Sequence, residues 1–164
     1  MPASAASAAN AALSPVAASA SPLTAYALRL RPGEDLRQQI MAFVVAHGLK
    51  AGAVLTCVGS LTDVSLRLAN QETPTHYHGH FEIVSLVGTL SASGGAHLHL
   101  AVADSTGRTL GGHLLDGCRI YTTAEIVLGA LPALRFERET DPAFGYKELV
   151  VKPARPARRG AKKP

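Results

Sequence analysis

Residues 94–115 read GGAHLHLAVADSTGRTLGGHLL, and the alternation in this stretch decides what kind of fold the chain builds. Leu98, Leu100 and Val102 alternate with His97, His99, Ala101 and Ala103, which is the period of a strand with one buried face. Ser105-Thr106-Gly107 fits a three-residue hairpin loop, with glycine at the left-handed position. That loop pairs Asp104 with Arg108 and, counted outward, His99 with His113. Gly111-Gly112 offers an alternative: a bulge there shifts the register by one and turns His113 to the other face.

Working outward, the same strand chemistry recurs on both sides. TAYALRLRP (24–32) alternates and ends at Pro32-Gly33. Segments 53–60, 63–70, 80–90, 108–115, 119–129, 133–139 and 146–151 are rich in Val, Ile, Thr, Leu and aromatics and are bounded by turn residues. One helix is expected, over about 34–47. Leu36, Ile40, Phe43 and Val44 form its apolar stripe, acids are expected in its first turn, and Gly48 stops it. One helix among many strands predicts an α+β domain with a mainly antiparallel sheet. No GxGxxG or GxxxxGK[ST] run points to a nucleotide site.

The hairpin carries the chemistry. His97 and His99 are two apart on a strand and share a face. With His113 opposite, three imidazoles converge. Such a set suits Zn²⁺, and also Fe, Ni or Cu. Three protein ligands with one open position is the catalytic arrangement of zinc. The other reading is polar outward positions on an amphipathic strand, and spacing alone leaves both open. A second cluster, His76, His78 and His80 in PTHYHGHFE, is expected in a surface loop or strand entry; its HxHxH spacing could also bind adventitious metal or lie near the first site in an oligomer. Glu125, within the apolar run YTTAEIVLG, is either a partly exposed strand residue or a general acid/base beside the metal.

Composition bounds the rest. The chain has 164 residues and a formal charge of +4. Residues 1–22 are almost all Ala, Ser, Pro and Asn, too poor in apolar surface to offset the entropy of ordering. Residues 152–164 carry Lys152, Arg155, Arg158, Arg159, Lys162 and Lys163, with no acid. Of 16 Lys and Arg, these six leave ten against 12 acids, so the remainder is near −2. The expected organisation is a disordered start, a domain over 23–151, and a disordered basic tail able to contact nucleic acid. No run reaches the ~18 apolar residues a membrane span needs, and the start lacks the features of an export signal. Cys57 and Cys118 sit in apolar contexts and read as buried thiols of a cytoplasmic protein.

The segments LRLRPGEDLRQQIMAFVVAHGLKAGAVLTCVGSLTDVSLRLAN, GHFEIVSLVGTLSASGGAHLHLAVADSTGRTLGGHLLDGCRIYTTAEIVLG and FERETDPAFGYKELVV together resemble the plant-and-prokaryote conserved (PPC) domain family over about residues 25–151. The resemblance implies an antiparallel sheet with one main helix, assembled as a homotrimer. Plant members follow AT-hooks in nuclear DNA-binding proteins, and prokaryotic members usually stand alone and are called DNA-binding. The wider fold group includes acetolactate decarboxylase and a human ester hydrolase, in which an HxH pair and a later His hold zinc. That pattern falls on His97, His99 and His113 here. The resemblance therefore implies a DNA-binding regulator with a metal site, or alternatively a zinc-dependent lyase or hydrolase of a small oxo-acid or ester. Two features depart from the family pattern: the HYHGH insert, and a basic tail without the RGRP core of an AT-hook.

Overall fold

A computed structural model of the chain describes residues 18–143 and 145–154. Among these, the elements run β1 (Thr24–Leu30), α1 (Leu36–Ala46), β2 (Gly52–Arg67), β3 (Thr75–Ser91), β4 (Gly95–Asp104), β5 (Thr109–Leu114), β6 (Arg119–Ala130), β7 (Leu134–Thr140) and β8 (Lys147–Pro153). The fold is the α+β arrangement that the alternation implies.

Six strands form one sheet in the order β1-β6-β2-β3-β4-β5, with every neighbouring pair antiparallel. β2 is long enough to serve twice. Its first part pairs with β6, and its last residues pair with β5 at Leu66↔Leu114 and Arg67↔His113. Strands β2, β3, β4 and β5 therefore close on themselves, which covers part of the β5 edge.

The inward positions alternate as the sequence does. Leu98, Leu100 and Val102 of β4 join Ile120, Ala124, Ile126 and Leu128 of β6 in one buried cluster. Helix α1 covers it with Leu36, Ile40 and Val44, spaced four apart on one stripe and wholly buried. Burying a side chain of this size contributes roughly 1.5–3 kcal/mol relative to leaving it in water. Strands β7 and β8 form a separate ribbon. It is tied to the main body by Phe136 N–H donating to the Lys50 carbonyl and by a small apolar group of Ala51, Leu134 and Phe136.

Several boundaries differ from the sequence expectation. The two strands expected over 53–60 and 63–70 are one, because the ladders to β3 and β6 continue across residues 61–62 with register shifts and no break. The helix starts at Leu36, not Glu34. Asp35 is its N-cap, with an extended backbone and a side chain that accepts from Gln38 N, so no acid lies in the first turn. The histidine-rich insert lies within β3: Pro74 precedes the strand and takes no ladder donor from it. β8 runs past 151 to Pro153, and Lys152 belongs to that strand, ion-paired to Glu137 and Glu139. Arg155, Arg158, Arg159, Lys162 and Lys163, and the start of the chain to residue 17, lie outside the described residues. No helix among the described residues is long and apolar enough to cross a membrane.

Candidate metal centre

Backbone register builds the centre. Leu98 and Leu100 go to the core, so the residues that alternate with them, His97 and His99, project from the outer face of β4. The β4–β5 ladder runs without a break from Ala103↔Thr109 to His99↔His113. Gly111 and Gly112 pair with Ala101 and Leu100 and form no bulge, so His113 stays on the face of His99. The turn that sets this register has Gly107 at φ 82°, and Asp104 accepts from the backbone N–H of Thr106 and Arg108. Those bonds hold the Asp104 carboxyl below its ordinary range, the Thr106 hydroxyl contributing most.

One ligand nitrogen from each of the three rings lies within 4.8 Å of the others. His97 Nε2 and His99 Nε2 are 3.2 Å apart. Two nitrogens in a tetrahedral zinc shell, each ~2.05 Å from the ion, are about 3.3 Å apart. The His97–His99 pair thus has the spacing of two ligands on one divalent ion, and the three imidazoles together have the chemistry. Burial holds His97 below its ordinary 6.5, helped by the Arg138 and His99 cations and opposed by Glu148. Burial likewise lowers His113, with Arg67 next in importance. A lowered value favours the neutral imidazole, the form that binds metal. Behind the ladder, Gly88 of β3 has φ 140°, and a Cβ there would stand 2.0 Å from the His97 carbonyl oxygen. Only glycine allows β3 to lie this close to the His97 backbone.

Beside the imidazoles is a cleft of about 470 Å³, walled by His97 and His113 and by Arg37, Arg67, Arg138 and Lys147. Glu148 is the one carboxylate in its lining. Arg67 is the cross-strand neighbour of His113. Arg138 reaches over from β7 and donates to Thr89 Oγ1 at 3.4 Å, and Thr89 is in register with His97. Arg37 is ion-paired with Asp116 at 2.6 Å. Sequence reasoning missed all four cations. They come from α1, β2, β7 and β8, and no local motif links them.

The other expected site residues lie elsewhere. Glu125 is on β6, exposed, with Arg29 and Val58 as its cross-strand neighbours, and it does not join the centre. The residues on either side of it, Ala124 and Ile126, fill the core, so the apolar context reflects the strand's inner face and not a site around Glu125. His76, His78 and His80 line a separate hollow, where His78 Nδ1 lies 2.6 Å from Asp63 Oδ1 and His80 packs on Tyr121. Among the described residues, His97, His99 and His113 are the one group of three or more potential ligands that converges. Cys57 and Cys118 are free and buried, with burial pushing their thiols up to about 12 and about 11. Neither supplies a thiolate at neutral pH.

A family model, the Plants and Prokaryotes Conserved (PCC) domain, matches residues 17–132. The chain belongs to this family. Its relatives place the domain in different settings. The chain is 52% identical over 129 residues to the Bifunctional protein GlmU of Synechococcus sp. (strain JA-3-3Ab), covering 79% of the chain and 21% of that protein. It is 33% identical over 118 residues to the AT-hook motif nuclear-localized protein 13 of Arabidopsis thaliana, covering 65% and 26%. The chain therefore spans only about a quarter or less of these curated relatives. Among solved PCC-like folds, a hypothetical protein from Salmonella cholerae-suis matches with a TM-score of 0.81 at 49% identity, over 82% of this chain and 97% of that one. A protein from Archaeoglobus fulgidus that is named as metal-containing matches with a TM-score of 0.68 at 25% identity, over 77% and 93%.

Proposed function

We propose that this PCC-domain chain is a homotrimeric, DNA-associated regulatory protein that carries a divalent metal, Zn²⁺, on His97, His99 and His113. The observation that carries the metal reading is the convergence of three imidazoles, from His97, His99 and His113, across one unbroken hairpin register. The metal-containing Archaeoglobus relative supports it. Calorimetric titration of metal-free protein with Zn²⁺ tests it: one site per chain is expected, and an unchanged isotherm in His99→Ala refutes it.

The DNA reading is supported by relatives named for AT-hooks and by the basic residues Arg155, Arg158, Arg159, Lys162 and Lys163. Lysines and arginines of this kind bind phosphates without sequence preference, and their affinity falls steeply with salt. Three copies of the segment on one trimer add avidity. Trimer formation is supported by Leu55, Val58, Val84 and Val87, large apolar side chains about half exposed on the sheet, which a second copy would cover. Light scattering reads the assembly, and deletion of residues 155–164 abolishes salt-sensitive DNA binding. Equal binding by the shortened chain contradicts the role of the segment.

A second reading, a metal-dependent lyase or hydrolase acting on a small oxo-acid or ester, is favoured by one observation: the cleft opens directly beside His97 and His113. Zn²⁺ on three imidazoles supplies Lewis acidity toward a carbonyl. The chain's own residues would bind and orient the substrate through Arg67 and Arg138. Glu148, at the cleft wall, would handle the proton in place of Glu125. Turnover that survives His97→Ala rules this reading out.

A further inference from the structure

The row of side chains across the outer face is ordered by strand. Arg67 on β2 neighbours His113 on β5, His113 neighbours His99 on β4, and His97 neighbours Thr89 on β3, over which Arg138 is tethered. Two guanidiniums therefore flank the histidines, one on each side. Arg138 is fixed at both ends of its fork, through Thr89 Oγ1 and the Lys147 carbonyl. Among the described residues the Arg67 guanidinium has no hydrogen bond or ion pair of its own. Arg37 is neutralised by Asp116, and Glu148 offsets one further charge, which leaves the cleft with an excess of two positive charges from Arg67, Arg138 and Lys147. Partly buried cations that no carboxylate offsets are costly unless an anion joins them.

We propose that this cleft is a binding site for a small-molecule oxyanion, a carboxylate or phosphate, gripped by Arg67 and Arg138 from the two sides of the histidine centre. Guanidinium forks match the geometry of both oxyanions, and bidentate pairing gives orientation as well as affinity. The cleft's volume, about 470 Å³, lies in the range of small-molecule sites. The grip is made by the chain's own cations. The proposal rests on the metal reading only in placing the rest of the ligand next to the three imidazoles.

Calorimetric titration at low ionic strength with malonate and with inorganic phosphate, on metal-free and on zinc-loaded protein, tests it. At least one of the two binds metal-free wild type. Arg67→Gln weakens that binding about tenfold or more, and Lys147→Gln, at an exposed position, weakens it less. Zn²⁺ uptake by Arg67→Gln is unchanged, so failure of the metal reading shows separately. Titration with a short DNA duplex separates the sources of oxyanion: Arg67→Gln leaves duplex binding as it was. The proposal is overturned if neither anion binds wild type, if Arg67→Gln binds them equally well, or if Arg67→Gln instead loses the duplex.

Discussion

Asp35 ties the start of α1 to the turn before β6, and its removal has a calculable cost. The residue is 2% exposed. One carboxylate oxygen accepts from Gln38 N at 3.0 Å and the other from Gly117 N at 2.6 Å. Asp35→Ala strips the helix of its cap, worth about 1 kcal/mol. It also leaves the Gly117 N–H without its charged acceptor, a further loss of about 2 kcal/mol. The expected destabilisation is about 3 kcal/mol, a drop of about 1.5 M in the urea midpoint for an m-value near 2 kcal/mol/M. Asp35→Asn keeps one acceptor oxygen for the cap but turns an N–H₂ toward the other donor, so about half the loss is expected. Urea unfolding of metal-free protein, followed by far-ultraviolet circular dichroism, reads both values. The backbone bonds Leu36 N to Cys118 O and Ile120 N to Glu34 O remain in either variant, so local refolding is not needed to explain a partial effect. A loss below about 1 kcal/mol in Asp35→Ala, less than a cap and a charged hydrogen bond together supply, would refute the reasoning.

Three other outcomes follow from the same geometry. His97 and His113 titrate below their ordinary 6.5, so between the folded and unfolded values the unfolded chain binds more protons. Metal-free protein is therefore most stable above about 6.5 and loses stability as the pH falls below it; His97→Gln flattens that slope, as chemical denaturation across pH 5–8 will read. Gly88→Ala pushes a methyl into the His97 carbonyl and is expected to cost about 2 kcal/mol or more in urea unfolding and to weaken zinc binding. Lys152→Ala leaves DNA binding unchanged in a filter or anisotropy assay, because its ammonium is committed to Glu137 and Glu139.

The hairpin was legible because its periodicity and its turn act locally. A three-residue loop with Gly107 fixes the register, and register fixes which side chains meet, so His97, His99 and His113 could be brought together by counting. The helix stripe was legible for the same reason. What escaped were features that depend on distant segments. Leu61-Thr62 reads as a gap between two strands; only the long ladder to β6, with register shifts on both sides of Leu61, carries β2 through it. Glu125 stood out for its apolar neighbours, yet those neighbours face the core while it faces out. Arg67 and Arg138 are 71 residues apart in the chain, and nothing in either local sequence marks them as the two sides of one cleft. The closure of β2 onto β5 and the tether of β7 to Thr89 bring them together.

The central claim is that the outer face of the β4–β5 hairpin holds a metal. The most direct measurement is the metal content, by plasma mass spectrometry, of untagged protein as purified, beside the double variant His97→Ala/His113→Ala with its folding confirmed by circular dichroism. The account predicts about one zinc per chain in the wild type, the capacity of a single three-imidazole centre, and none above background in the variant. No metal in the wild type, or the same content in the folded variant, would contradict it.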